Sequence, residues 1–178
     1  MDAQDQTPLL TMRAWTHTIR GAPLKVLSLS GNTARPSVAS LTQVLVRVQY
    51  AALNPAGSVM MQLCPSFLRT KPCIPELDFA GQIVQADETI VESRGLKPGV
   101  RVFGSIPVPE HLKGQGALSE YVAVEAAFIA EAPKGIELQE AAGLPVAGVQ
   151  LSLCLRERGW KEGRKSLSMA PEEELGPW

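Results

Sequence analysis

Residues Gln43 to Pro55 read QVLVRVQYAALNP. Val44, Val46 and Val48 fall on one side of this stretch and Leu45, Arg47 and Gln49 on the other. Side chains of a strand alternate between its two faces, so a period of two in β-branched residues predicts a strand with the valines buried together. Asn54-Pro55 ends it, because proline has no N–H to give to a ladder.

Working outward from this strand, the chain continues in the same style. Asp78 to Gln85 predicts a second strand, with Gly81 marking a bulge or a close backbone approach. Lys97-Pro98-Gly99 predicts a turn feeding Val100 to Gly104, and Leu118 to Val124 and Phe128 to Ala130 predict further strands. Toward the N-terminus, Met12 to Leu29 reads as short β elements around a turn at Gly21 and Pro23, and Gly31 to Ser40 as a loop. Ser58 to Leu63 has room for one helical turn. Cys64 to Pro75, with three prolines, predicts an extended surface excursion, and Pro107 to Gly116 a polar loop. The pattern changes after Pro133. Ile136 to Arg158 is rich in Ala, Leu, Glu and Gln, all good helix formers, and is split at Gly143-Leu144-Pro145. Many short strands followed by two helices predict a mainly β, barrel-like domain leading into another unit.

Composition narrows the function. The 178 residues carry a net charge of −1, so no broad basic field points to nucleic acid. Aromatics make up 5%, too few for a base-stacking platform. No apolar run reaches the roughly 18 residues of a membrane span. Met1 to Pro8 is polar and holds Asp2 and Asp5, which fits neither a secretory signal nor a mitochondrial presequence. Cys64, Cys73 and Cys154 form no close pair, which suits a reducing compartment. Together these predict a cytoplasmic protein. His17 and His111 are isolated and expected on the surface or in loops.

Five segments in order carry a resemblance. They are QVLVRVQYAALNP from Gln43, IPELDFAGQIV from Ile74, LKPGVRVFG from Leu96, GALSEYVAV from Gly116 and EAAGLPVAG from Glu140. From about Met12 to Gly163 the chain resembles the medium-chain dehydrogenase/reductase superfamily, in its zinc-free quinone-oxidoreductase and enoyl-reductase branch. The resemblance implies a GroES-like, partly open β-barrel over residues 12–133. Residues 134–178 would then hold two connecting helices and the start of an incomplete nucleotide-binding Rossmann domain. It also implies a zinc-independent, NADPH-dependent oxidoreductase acting on a small-molecule substrate, a quinone or an activated alkene. The co-chaperonin itself fits poorly, since it would not need the helices after Pro133.

The resemblance also assigns residues. The family's catalytic zinc is held by a Cys and a His, and the matching positions are Asn54 and Leu77, neither of which can replace a thiolate or an imidazole. No four closely spaced cysteines lie between Gln85 and Glu110, so no structural zinc is expected either. Asn54 would orient a carbonyl or the nicotinamide amide, or serve as a turn residue bonded to its own backbone. Asp78 matches an acidic position and reads either as a substrate contact or as a buried structural carboxylate. Tyr50 reads as a substrate contact or as part of the core rim. Leu144 and Val146 match the stretch that passes the nicotinamide, and Gln150 stands where the family has a threonine on that wall. Two further departures are Gly57, in place of an aspartate, and Glu76, in place of a glycine.

After Gly163 the chain reads RKSLSMAPEEELGPW. Pro171 and Glu172 to Glu174 stand where the family's close-approach glycines would receive a pyrophosphate. The expectation is therefore a truncated oxidoreductase that does not hold NADPH by itself. The alternative is a non-catalytic remnant barrel acting in ligand binding or subunit association. Without a nucleotide domain over them, the apolar residues of the helix pair would be uncovered and open to self-association, as in a homo-oligomer.

Overall fold

The structure is a computed structural model and describes residues 10–149. Twelve elements follow in chain order: β1 (Thr11–Thr16), α1 (Pro23–Val26), β2 (Ser28–Ala34), β3 (Gln43–Ala51), α2 (Pro55–Leu63), β4 (Asp78–Ala86), α3 (Glu88–Arg94), β5 (Arg101–Ser105), α4 (Val108–Leu112), β6 (Tyr121–Glu125), β7 (Ile129–Glu131) and α5 (Leu138–Ala141). Residues 145–149 are again helical. Among the described residues no helix is long and apolar enough to cross a membrane.

β3 lies between β6 and β4 in a five-stranded antiparallel sheet of order β6-β3-β4-β5-β7, with β4 at its centre. Val44 and Val46 are wholly buried, and they pack with Phe79, Ile83, Val102 and Val122 in the main core, with Val48 partly buried against it. Leu45, on the other face, is buried too. α5 covers the back of the sheet, where Leu138, Ala141 and Ala142 pack with Ala80 and Ala132. Both faces of β3 are thus covered near its start. β1 and β2 form a separate two-stranded sheet, tied to the larger one through Trp15 N–H to Leu118 O at 2.9 Å. Among the described residues the sheet does not close into a barrel, as a partly open GroES-like fold requires.

Gly81 meets the expectation set for it. A Cβ there would overlap the carbonyl oxygen of Arg47, and the β3–β4 register shifts between Val48 and Tyr50, opposite Gly81 and Ala80. Only glycine lets the two backbones come this close, and the bulge bends β3 toward the Asn54 turn.

Several expectations are corrected. Residues 31–34, read as loop, continue β2. Pairing with β1 holds them extended although Thr33 is the one β-branched residue among them. The stretch from Cys64 to Pro75 does not stay on the surface. Its end, Cys73 to Pro75, is buried, held by the paired backbones of Cys73 and His17. The Pro107 to Gly116 loop contains α4. Both histidines are buried, His17 at 3% and His111 at 5% exposure. Each ring has a backbone carbonyl to bond, Ile19 O and Gln115 O respectively, which makes burial tolerable. The split of the C-terminal helical stretch falls at Gly143-Leu144, as expected. Leu144 and Val149 are exposed and Val146 is half-buried, so part of the expected apolar surface is present. Leu151, Leu153 and Leu155 lie outside the described residues.

Candidate functional site

Three short segments meet at one end of the sheet and enclose a cavity of about 230 Å³. α2 contributes Gly57 and Met60, with Asn54 just before it. The entrance to β4 contributes Glu76, Leu77 and Asp78. α4 contributes Val108 and His111, and Val146 closes the far side. The lining is almost wholly apolar, so a polar group admitted there exchanges water for a few fixed partners.

Asn54 is the N-cap of α2. Its backbone is extended (φ −112°, ψ 136°), its side-chain Oδ1 accepts the Ala56 N–H at 3.0 Å, and Pro55 fills the first helical position, where a missing N–H costs nothing. Its own N–H donates to Glu76 Oε2 at 3.0 Å. Of the side-chain amide only the oxygen is engaged among the described hydrogen bonds.

Glu76 is buried, and its backbone is in the left-handed region at φ +66°. Non-glycine residues seldom adopt this conformation. Burial pushes its carboxyl above the usual range, the Asn54 N–H pulls it back, and Asp78 pushes it up again. Asp78 is equally buried and is pushed up by burial first of all. Its Oδ2 accepts the Val146 N–H at 3.1 Å, and this bond and the nearby Ser105 hydroxyl work against the upward push of burial. Asp78 therefore fastens the start of the helical residues 145–149 to the sheet. His111 Nδ1 lies 2.8 Å from Gln115 O. A carbonyl can only accept, so Nδ1 carries the proton. Burial holds this ring below the usual histidine range, so it is neutral at pH 7 and Nε2 is an acceptor.

Next to the cavity lies an open apolar groove of about 480 Å³, lined among others by Phe103, Phe128, Ile129, Pro145 and Val149. Val146 lines both spaces. Among the described residues no lysine or arginine lines the groove. A further hollow of about 420 Å³ beside β2 is lined by exposed Lys71 and Lys113 and brings no buried carboxylates together.

Of the residues singled out from sequence, Asn54, Asp78 and Val146 meet at the cavity. Tyr50 does not; it sits exposed on β3. Leu144 lines neither space, and Gln150 lies outside the described residues. Sequence reading missed Met60, Val108 and His111, which α2 and α4 bring to the lining of one cavity. Leu77 also lines the cavity, as an apolar side chain. Among the described residues no three His, Cys, Asp or Glu side chains stand close enough together to hold a metal ion.

Residues 40–134, just over half of the chain, match the family described as the alcohol dehydrogenase GroES-like domain. The chain is 34% identical over 161 residues to 2-methylene-furan-3-one reductase of Solanum lycopersicum, covering 88% of this chain and 40% of that protein. It is 36% identical to the chloroplastic NADPH-dependent alkenal/one oxidoreductase of Arabidopsis thaliana, covering 76% of this chain and 35% of that one. Among solved structures, the quinone oxidoreductase of Coxiella burnetii superposes with a TM-score of 0.70 at 26% identity, covering 86% of this chain and 47% of that chain. The chain thus spans less than half the length of each of these relatives.

Proposed function

From the premise that the chain belongs to the alcohol dehydrogenase GroES-like domain family, among the quinone and enoyl reductases of the medium-chain dehydrogenase/reductase superfamily, we propose that it forms the substrate-side wall of a zinc-independent, NADPH-dependent reductase. Its substrate class is an activated double bond, an enal or enone, with quinones as the near alternative. The observation that carries this reading is the Asn54 turn, an amide with one end tied down at an apolar cavity.

Bound NADPH would supply the hydride, with its nicotinamide against Val146 and the groove and, by resemblance, near Leu144 and Gln150. Its phosphates would need groups beyond those lining the groove. The chain's own residues do the following. The Asn54 NH₂ donates to the substrate carbonyl, and that bond strengthens as negative charge builds on the oxygen. The apolar lining of Met60, Leu77, Val108 and Val146 excludes water and makes the single donor count for more. Asp78 keeps Val146 in place between the cavity and the groove. Tyr50 is exposed on β3 outside the cavity lining and is a rim residue. A reducing compartment such as the cytoplasm suits the free thiols of Cys64 and Cys73.

A titration tests this. A saturated ketone such as 2-hexanone has the carbonyl without a reactive alkene, and its size implies an affinity of roughly millimolar. Amide shifts at Asn54, Met60, Leu77, His111 and Val146 should move together and saturate. Saturable shifts confined to the hollow beside β2, or none at all, would contradict the reading. A second reading, in which these residues bind carbonyl compounds without turnover, rests on the apolar cavity alone. Mixing it with NADPH and but-2-enal and following nicotinamide absorbance separates the two.

A further inference from the structure

Gly57 and Glu76 are each out of place alone. Gly57 is the third residue of the nine-residue helix α2, where glycine loses conformational freedom for no local return. Glu76 takes a left-handed backbone that suits glycine. The two anomalies meet in space. A Cβ on residue 57 would overlap Glu76 Oε1, with Cδ and Oε2 2.6 Å away. The Glu76 carboxylate fills the room a side chain at 57 would take.

That room has a specific use. In a capping box, an acid at the third helical position reaches back to the N–H of the N-cap residue. For α2 the N-cap is Asn54 and the third position is Gly57, which has no side chain to send. The bond is made nonetheless, by Glu76 Oε2, 22 residues from Asn54 along the chain. We infer that Glu76 is the positioning residue of the Asn54 turn: it completes, from the entrance to β4, the capping box that Gly57 leaves open, and so fixes how Asn54 presents its amide to the cavity.

The functional part of this rests on the reading of Asn54 as the carbonyl-binding group. The structural part does not. Because Glu76 sits between the cavity-lining ends of α2 and β4, the bond fastens two walls of one cavity rather than one helix to itself. The carboxylate also lies at the N-terminus of α2, where the helix dipole favours negative charge. α2 itself has no titratable side chain. The groups that share the surroundings of Glu76 are Asp78 from β4 and His111, with Glu110 beside it, from α4.

The test moves the acid back. Gly57→Asp alone places two carboxylates in one space and should cut the yield of folded protein at least roughly tenfold. The double variant Gly57→Asp with Glu76→Gly restores a local capping box and a glycine at the left-handed position, and should recover folded protein. Glu76→Gly alone should fold but weaken 2-hexanone binding several-fold, and the double variant should regain it. Glu76→Gln keeps the shape and removes the charge. In the wild-type chain the Asn54 amide shift should titrate with pH, with a midpoint above the ordinary glutamate range, and this titration should vanish in Glu76→Gln while the helix stays intact. The inference is overturned if Gly57→Asp folds as well as the wild type, if the double variant is no better than Gly57→Asp, or if the Asn54 amide titrates unchanged in Glu76→Gln. If 2-hexanone fails to bind even the wild type, the function reading fails, and the amide titration still decides the role of Glu76.

Discussion

The starts of α2 and α5 both close on a carboxylate, by different routes. At α5 the N-cap is Glu137, and its N–H donates to Glu140 Oε2 at 3.2 Å, an acid three positions ahead in the same turn. At α2 the N-cap N–H of Asn54 donates at 3.0 Å to Glu76, which arrives from another part of the chain. The α5 acid serves its own helix end, whose apolar side packs on the back of the sheet. The α2 acid is buried, takes a left-handed backbone, and joins two walls of the cavity. A local cap makes a helix start. A remote one makes a helix start and also fixes what stands opposite it, which is what a binding site needs from its supporting groups.

Truncation breaks this comparison most strongly. Glu76→Ala leaves the Asn54 N–H without its acceptor and opens a void beside Gly57, and should destabilise the chain by about 1–3 kcal/mol. Glu140→Ala leaves an exposed helix start to water and should cost at most about 1 kcal/mol. Urea unfolding of both variants beside the wild type measures the gap. Equal losses would mean that the remote acid is only another cap.

The comparison also shows what could be read in advance. The strand at β3 was legible because branched residues alternate over its whole length and its valines share one face. Gly81 was legible because glycine within a strand has few uses. The position of α4 was not. It has five residues, too few for a helical period to show, and its prolines read as loop. The burial of His17 and His111 was hidden for a related reason, since the carbonyls that satisfy them come from local backbone geometry and not from any motif. The candidate site was half legible. Asn54 and Asp78 stand out through the segments they lie in, and Gly57 and Glu76 as two separate departures. That these two departures are one contact depends on the path from Cys64 to Pro75 and on a single left-handed residue. Neither is written in any spacing.

A smaller effect sharpens the comparison through pH. The folded-state value of Glu76 is raised above the ordinary glutamate range, chiefly by burial. A carboxyl raised in this way adds stability that is fully present below its unfolded value, about 4.3, and is lost as pH climbs through the folded value. The stability of the wild type relative to Glu76→Gln should therefore decline from about pH 4 toward pH 7. Asp78 is raised in the same direction and repels Glu76, so the difference reports Glu76 together with the relief of Asp78 when its neighbour's charge is removed. A wild type that instead gains on Glu76→Gln as pH rises would show that the hydrogen bond from Asn54 outweighs burial.

Amide hydrogen exchange at Asn54 and Glu137 in one sample, with and without Glu76→Gly, tests the account most directly. Loss of a charge-assisted hydrogen bond should speed exchange at Asn54 by roughly ten- to a hundredfold and leave Glu137, whose acceptor is the local Glu140, unchanged. If Asn54 keeps its protection in Glu76→Gly, or if Asn54 and Glu137 loosen together, the site wall is not held by the remote acid and the account is wrong.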